Sequence, residues 1–207
     1  MIKIFLASSF SDVANIFAGI DSDLKGKSVT FIPTASVVEK VTFYVDSGRK
    51  ALEKLGLIVD NLEISTATSE EINHKLRNND FIYVTGGNTF YLLQELKRTG
   101  ADKIIIDEVN SGKLYIGESA GAIIASADVE YAQKMDSVKK APFLKEYSAL
   151  GLVDFYTVPH YNSAPFKKVA QSIIDTYEAT LNLKPISNND AIWVQGNIMQ
   201  IRGNESC

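Results

Sequence analysis

The segment Gly117-Glu118-Ser119-Ala120-Gly121 lies between a short apolar run and an alanine-rich helical pattern. A G-x-S-x-G sequence between a strand and a helix is typical of a nucleophile elbow, the sharp turn that exposes a catalytic serine. Glycines around such a turn let the backbone pass close to its neighbours. The serine hydroxyl is then expected at a helix N-terminus, where free N–H groups favour developing negative charge. The alternative is that the G-x-S-x-G pattern occurs by chance in a glycine-containing turn. The flanking strand and helix favour a catalytic Ser119 instead.

A serine hydroxyl is a weak nucleophile that needs an adjacent base, and the histidines of the chain limit the choice. The sequence contains two of them, His74 and His160. His74 lies in a charged helical pattern that is typical of a solvated surface. His160 follows the apolar run 155–159, so we expect it at the end of a strand, at the same edge of a parallel sheet as Ser119. Chemistry gathers at that edge in open α/β folds. A capped structural histidine is the alternative.

Acyl transfer also requires hydrogen-bond donors, usually backbone N–H groups, for the developing oxyanion. The N–H of Ala120, directly after the serine, is one candidate. A second is the loop Gly86-Gly87-Asn88, which ends another apolar run. Glycine presents a backbone donor without a side chain in the way, although the same residues also suit a simple strand-to-helix turn.

A third group should orient the histidine, and several acids are candidates. Asp190 lies in a short polar segment directly before an apolar run, where a turn residue is the alternative explanation. Asp128 and Asp136 follow the elbow, and Glu118 lies within it. We favour Asp190. The resulting order, serine then histidine then acid, differs from that of α/β-hydrolases, in which the histidine comes last.

Composition limits the classes to which the chain can belong. Its 207 residues, 45% hydrophobic and 22% charged with a net charge of −4, suit one globular domain spanning residues 1–207. The negative charge argues against a nucleic-acid surface. The one cysteine, Cys207, gives no disulfide framework and no Cys/His metal cluster, and suits the cytoplasm. No apolar stretch approaches the ~20 residues of a membrane span. We therefore expect a cytoplasmic protein without metal or cofactor, either monomer or homodimer.

Apolar strands alternate with amphipathic helical patterns along the chain. The strands expected before the elbow cover residues 2–7, 29–32, 57–62, 81–85 and 114–116. This alternation predicts an α/β fold with a mostly parallel sheet and helices on both faces. Residues 128–150 break the pattern, and we interpret them as an excursion that carries active-site loops. Apolar runs on both sides of Gly196-Asn197 predict a C-terminal β-hairpin.

Four segments together resemble the peptidase E family of serine dipeptidases, also called aspartyl dipeptidases, and the related cyanophycinases. They are P-T-A-S at 33–36, V-T-G-G-N-T-F at 84–90, G-E-S-A-G-A at 117–122 and P-H at 159–160, and they span most of the chain. The resemblance implies the flavodoxin-like fold of class I glutamine amidotransferases, with serine in place of their elbow cysteine. It also implies Ser119 as nucleophile, His160 as base, and Gly87 and Ala120 as oxyanion donors.

The resemblance leaves the acidic partner and the specificity open. It places the acid either near Asp190, where two asparagines make the alignment ambiguous, or near Asp136. Recognition of an acidic substrate side chain requires a cation. No arginine occurs between Arg98 and Arg202, so the sequence supports dipeptidase-like chemistry but gives no support to a preference for N-terminal aspartate.

The sequence thus predicts a serine peptidase that hydrolyses short peptides through Ser119, His160 and Asp190. One alternative is an amidase or esterase on the same scaffold. Another is a non-catalytic relative that binds a peptide or small molecule and retains the elbow, and this alternative predicts that no acid lies near His160.

Overall fold

Strands and helices alternate in a computed structural model that describes residues 1–20 and 23–203. The strands are β1 (Lys3–Ala7), β2 (Ser28–Ile32), β3 (Ile58–Asn61), β4 (Phe81–Val84), β5 (Leu114–Glu118), β6 (Tyr156–Val158), β7 (Leu183–Pro185), β8 (Asp190–Gln195) and β9 (Ile198–Gly203). The first five lie within two residues of the predicted bounds, because continuous apolar runs mark buried parallel strands.

The helices lie between these strands or directly after them. They are α1 (Phe10–Ala18), α2 (Phe43–Lys54), α3 (Ser69–Asn78), α4 (Thr89–Thr99), α5 (Ala101–Asn110), α6 (Ala120–Ile123) and α7 (Lys167–Tyr177). Across the described ranges, none is long and apolar enough to cross a membrane.

The central sheet contains seven of the described strands in the order β3-β2-β4-β5-β1-β8-β9. Neighbours from β3 to β1 pair in parallel. β8 is antiparallel to β1, and β9 returns beside β8 as the predicted C-terminal hairpin. The expected mostly parallel α/β sheet is therefore confirmed.

Successive residues of β1 pack into two different apolar clusters on opposite faces of the sheet. Ile4 and Leu6 join buried residues of α3 to α7, whereas Phe5 and Ala7 join those of α1 and α2. Side chains alternate between the faces of a strand, so this division places helices on both faces of the sheet, as predicted.

The strand before His160 differs from the expectation. β6 does not enter the central sheet but pairs with β7 in a separate parallel ribbon. The place beside β1 is occupied by β8, with which β1 pairs over five residues from Lys3 to Ala7. One hydrogen bond holds the end of this ribbon beside the central sheet. Ser8, directly after β1, donates from its hydroxyl to the carbonyl of Ile186, directly after β7, at 3.0 Å.

The excursion after the elbow contains little regular structure. Short 3-10 turns form at Glu130–Lys134 and Val138–Lys140, and Asp128 makes an isolated β-bridge with Ser148. The first turn packs on α7 and the second on α4. The excursion thus covers the side of the sheet edge at which α4 begins.

Candidate active site

Ser119 occupies the sharp turn between β5 and α6. Its φ of 49° and ψ of −104° fall outside the common regions for a residue with a side chain, as expected at a strained functional turn. Its N–H donates to the Ala7 carbonyl at 2.9 Å, and its carbonyl accepts from Ala122 and Ile123 at 2.9 Å. The backbone of the serine is therefore fixed on both sides, while its hydroxyl remains available for other contacts.

The turn depends on close backbone packing. A side chain on Gly121 would overlap the carbonyl of Val84 at the end of β4. The first turn of α6 consequently lies directly against the neighbouring strand, which explains why the elbow needs glycine there.

His160 reaches the serine from the end of the β6–β7 ribbon. Its Nε2 lies 2.9 Å from Ser119 Oγ. Its backbone N–H donates to Ser8 Oγ at 2.9 Å, and its ring stacks on Phe166 with 4.8 Å between centroids. Its φ of 60° is again unusual for a residue with a side chain. The imidazole is thus held by hydrogen bonding and stacking from two different parts of the chain.

The residue behind the imidazole is Asn188, not the predicted Asp190. His160 Nδ1 lies 2.8 Å from Asn188 Oδ1. A side-chain carbonyl oxygen only accepts, so Nδ1 carries the proton and the lone pair of Nε2 faces Ser119 Oγ. Burial lowers the pKa of His160, and the hydrogen bond to Asn188 partly opposes this effect. The imidazole is therefore neutral at pH 7.

Asp190 instead closes the turn that carries Asn188. Its Oδ2 accepts from the N–H of Ser187 at 2.9 Å and from its hydroxyl at 2.6 Å. Asp side chains commonly bond to nearby backbone in this way, and among the described residues no hydrogen bond joins this carboxylate to His160. Sequence reasoning missed Asn188 because it sought an acid, although an amide oxygen also satisfies Nδ1.

The other candidate acids also contact partners other than His160. Asp136 Oδ2 accepts from the N–H and hydroxyl of Thr89 at the start of α4, at 2.9 and 2.5 Å, and burial raises its pKa to about 6. Asp128 accepts from the N–H of Glu130 at 2.6 Å. Glu118 points to Phe10 and Tyr83. These carboxyl groups are therefore not members of the serine–histidine chain.

The Gly86-Gly87 loop lies beside the serine. A side-chain carbon on Gly86 would stand 3.1 Å from Ser119 Cβ. Gly87 has a φ of 135°, and a side chain there would overlap the backbone carbonyl of Ala35. Asn88 N–H donates to that same Ala35 carbonyl at 2.8 Å. The loop is therefore wedged between the segment after β2 and the nucleophile elbow.

Tyr44 borders the same loop and marks a negatively charged environment. Its Cε2 lies 3.7 Å from the position of a side chain on Gly86. Its hydroxyl is buried without a hydrogen-bond partner among the described residues. Burial, followed by the charges of Glu39, Glu118 and Asp136, raises the pKa of Tyr44 to about 12. Carboxyl groups thus surround one side of the site.

His74, the second histidine, is exposed on α3, as predicted. Within residues 1–20 and 23–203, no group of three His, Cys, Asp or Glu side chains is arranged to hold a metal ion.

The profile of peptidase family S51 matches residues 4–202 of the chain. The chain belongs to peptidase family S51. Membership makes it a serine-type peptidase, in agreement with the resemblance to peptidase E and with the pairing of Ser119 and His160.

Similar proteins match between two thirds and nearly all of this chain. An uncharacterised peptidase of Listeria monocytogenes is 60% identical over 196 residues, which cover 95% of this chain and 96% of the relative. One from Pasteurella multocida is 53% identical, covering 99% of both chains. A peptidase E of Salmonella arizonae is 36% identical, covering 67% of this chain and 57% of the relative.

Solved structures agree with the fold. A crystal structure described as a candidate peptidase E protein from Listeria monocytogenes has a TM-score of 0.96 at 57% identity, covering 99% of this chain and 100% of the other. A peptidase from an acI-B1 actinobacterium has a TM-score of 0.73 at 22% identity, covering 99% and 88%. The second comparison supports the fold alone.

Replacing Gly87 by alanine tests the wedged loop. We expect Gly87→Ala to destabilise the protein by about 1–3 kcal/mol more than Gly100→Ala, because only the first side chain would overlap backbone. Gly100 is a matched control, since its φ is also positive, at 75°, and nothing lies within 4 Å of an added side chain. Urea denaturation of both variants measures the difference. Equal losses of stability would contradict the close packing of the loop.

Proposed function

We propose that the protein hydrolyses short peptides with Ser119 as nucleophile and His160 as general base, oriented by Asn188. The observation that carries this proposal is the unbroken chain of contacts, 2.9 Å from Ser119 Oγ to His160 Nε2 and 2.8 Å from His160 Nδ1 to Asn188 Oδ1. A nucleophile, a base within hydrogen-bond reach and a group that orients the base together form the pattern of an activated serine.

In the first half of the reaction, Ser119 Oγ attacks the scissile carbonyl while Nε2 of His160 takes its proton. The carbonyl oxygen becomes an oxyanion, to which the N–H groups of Gly87 and Ala120 donate. His160 then gives the proton to the leaving amine, and the C–N bond breaks to leave an acyl-serine. In the second half, water attacks the ester, the imidazole again transfers the proton, and Ser119 is released.

Asn188 supplies orientation without charge. An amide that accepts from Nδ1–H fixes the tautomer with its lone pair on Nε2, as the asparagine of papain-like proteases does. Unlike a carboxylate, it adds no negative charge to stabilise the imidazolium. Since burial also lowers the pKa of His160, the base stays neutral to a pH below the ordinary histidine pKa.

The choice of short peptides rests on the likeness to proteins named peptidase E. The electrostatics of the site add a preference. The carboxyl groups of Glu39, Glu118 and Asp136 lie near Tyr44. Of these three, Glu39 forms an ion pair with Lys140 at 2.7 Å. An excess of negative charge favours the ammonium group of a short peptide and disfavours an acidic side chain.

One observation favours the alternative of a non-catalytic binding protein. No carboxylate contacts His160 in the described part of the chain, as that alternative predicts. Covalent labelling of Ser119 by a serine-directed phosphonate separates the two functions, because labelling requires an activated hydroxyl.

Replacing the serine tests the nucleophile. We expect Ser119→Ala to abolish peptide hydrolysis and phosphonate labelling while the protein stays folded, because only the attacking oxygen is removed. Ser111→Ala is a matched control, since Ser111 is exposed and precedes β5 at its opposite end. Turnover of a dipeptide panel and mass spectrometry of the labelled protein give the result. Full turnover by Ser119→Ala would refute the assignment.

Replacing Asn188 tests the neutral orienting group. In Asn188→Asp, the added negative charge should raise the pKa of His160, so the acid limb of the kcat/KM profile should move to higher pH. In Asn188→Ala, the hydrogen bond that raises the pKa of His160 is lost, so the acid limb should move to lower pH, and kcat should fall by about 10²–10⁴ because the tautomer is no longer fixed. Asp190→Asn, which keeps an oxygen to accept from Ser187, should affect kcat less than Asn188→Ala. A larger loss in Asp190→Asn would restore the original prediction that Asp190 is the partner.

The charge of the site predicts discrimination between isosteric substrates. Dipeptides that begin with asparagine should have a higher kcat/KM than those that begin with aspartate, because the two side chains differ mainly in charge. Glu39→Gln should raise the relative rate of the aspartyl substrates by removing one carboxylate. Initial rates on paired Asn-X and Asp-X dipeptides measure the ratio. A preference for aspartate in the unmodified protein would contradict the electrostatic argument.

A further inference from the structure

Two aromatic side chains at the start of α2 lie beside the nucleophile. The position of a side-chain carbon on Gly86 is 3.7 Å from Ser119 Oγ and also 3.7 Å from Tyr44 Cε2, so these two atoms are no more than twice that distance apart. Phe43 packs edge-on against Tyr44, with 6.0 Å between the ring centroids. Since Gly86 has no side chain, it leaves the space between the tyrosine ring and the serine hydroxyl open.

The surface that these two residues present is apolar. Tyr44 is half-buried, and its hydroxyl is buried, so any part of its side chain that faces solvent is ring carbon. Phe43 is 72% exposed, and Val37 and Val41, earlier in the same segment, are exposed as well. Apolar groups that are exposed close together commonly mark a binding site.

The order of the strands assigns different places to the two parts of a peptide substrate. β4 and β1 lie on opposite sides of β5, which Ser119 follows. Tyr44 borders the loop after β4, whereas His160 is bonded to Ser8 after β1. In the proposed mechanism His160 protonates the leaving amine, so the leaving group lies on the β1 side. The residue that becomes the acyl group therefore extends toward β4 and the two rings.

We propose that Phe43 and Tyr44 form the subsite for the side chain of the residue whose carbonyl is attacked, and that this subsite selects aromatic and large aliphatic side chains. The inference rests on the hydrolytic function proposed above and adds a substrate class to it. Tyr44 is the inner wall, nearest to Ser119, and Phe43 is the outer wall. An aromatic side chain that lies against both rings buries apolar area and makes edge-to-face contacts.

The segment that carries the subsite is fixed to the rest of the site. The carbonyl of Ala35 accepts from the N–H of Asn88 at 2.8 Å, and Glu39 pairs with Lys140 of the excursion at 2.7 Å. Phe43 and Tyr44 are the first two residues of α2. Groups that are carried on a helix are held more precisely than groups on a loop, so both walls keep their distance from the nucleophile.

Truncation of the outer wall tests the subsite. The unmodified protein should have a higher kcat/KM for Phe-X than for Ala-X dipeptides, and Phe43→Ala should lower this ratio about tenfold, because the lost ring no longer covers the substrate side chain. Phe143→Ala is a matched control that should keep the ratio. Phe143 is 80% exposed, but its N–H donates to Gln94 in the middle of α4. An unchanged ratio in Phe43→Ala would overturn the proposal.

A charge at the same position separates direct contact from general loosening. Phe43→Asp should raise the rate of Lys-X dipeptides relative to Phe-X dipeptides, because a carboxylate then meets the substrate side chain. Phe143→Asp should leave this relative rate as it is. Equal effects of the two substitutions would contradict a subsite at Phe43.

Phosphonate probes distinguish the acyl side from the leaving side. An aminoalkyl diphenyl phosphonate reproduces only the acyl residue, and its side chain can be benzyl or methyl. We expect the benzyl probe to label Ser119 faster than the methyl probe, and Phe43→Ala to reduce this difference. Equal labelling rates in a protein that hydrolyses peptides would overturn the subsite. Absence of both hydrolysis and Ser119 labelling would instead overturn the proposed function.

Discussion

The site depends above all on backbone that packs against backbone at the carboxyl edge of the sheet. Gly121 lies against the Val84 carbonyl, and Gly87 lies against the Ala35 carbonyl, each without room for a side chain. These two contacts fix the ends of β2, β4 and β5 relative to one another. The unusual backbone of Ser119 is tolerated because its neighbours hold it in place on both sides, which is the usual condition for strain at a functional turn.

Most of the sheet and the serine–histidine pair could be predicted from the sequence, whereas the orienting residue could not. Apolar runs fix where strands end, and Ser119, Gly87 and His160 each lie just past such an end. The difference between Asn188 and Asp190 is decided inside one turn, where the carboxylate of Asp190 bonds locally to Ser187. The sequence also did not indicate that β6 lies outside the central sheet, because the apolar pattern of a three-residue strand does not identify the strand with which it pairs.

The charges of the site follow a common pattern. Burial raises the pKa of Glu118 to about 7 and that of Asp136 to about 6, and it lowers the pKa of His160. Each shift favours the neutral form of its group. An asparagine behind the imidazole suits this environment, because a further buried carboxylate would add charge where several acids already lie close together. The site thus combines strong geometric constraint with an orienting group that adds no further negative charge.

The attachment of His160 to Ser8 has a consequence for the growing chain. Ser8 binds both the His160 N–H and the Ile186 carbonyl, and Asn188 follows two residues later. A nascent chain that has emerged just beyond His160 therefore contains both reactive side chains but not Asn188, which orients the imidazole. We therefore expect the catalytic pair to reach its final geometry late in synthesis, once the segment around Ile186 has bonded to Ser8.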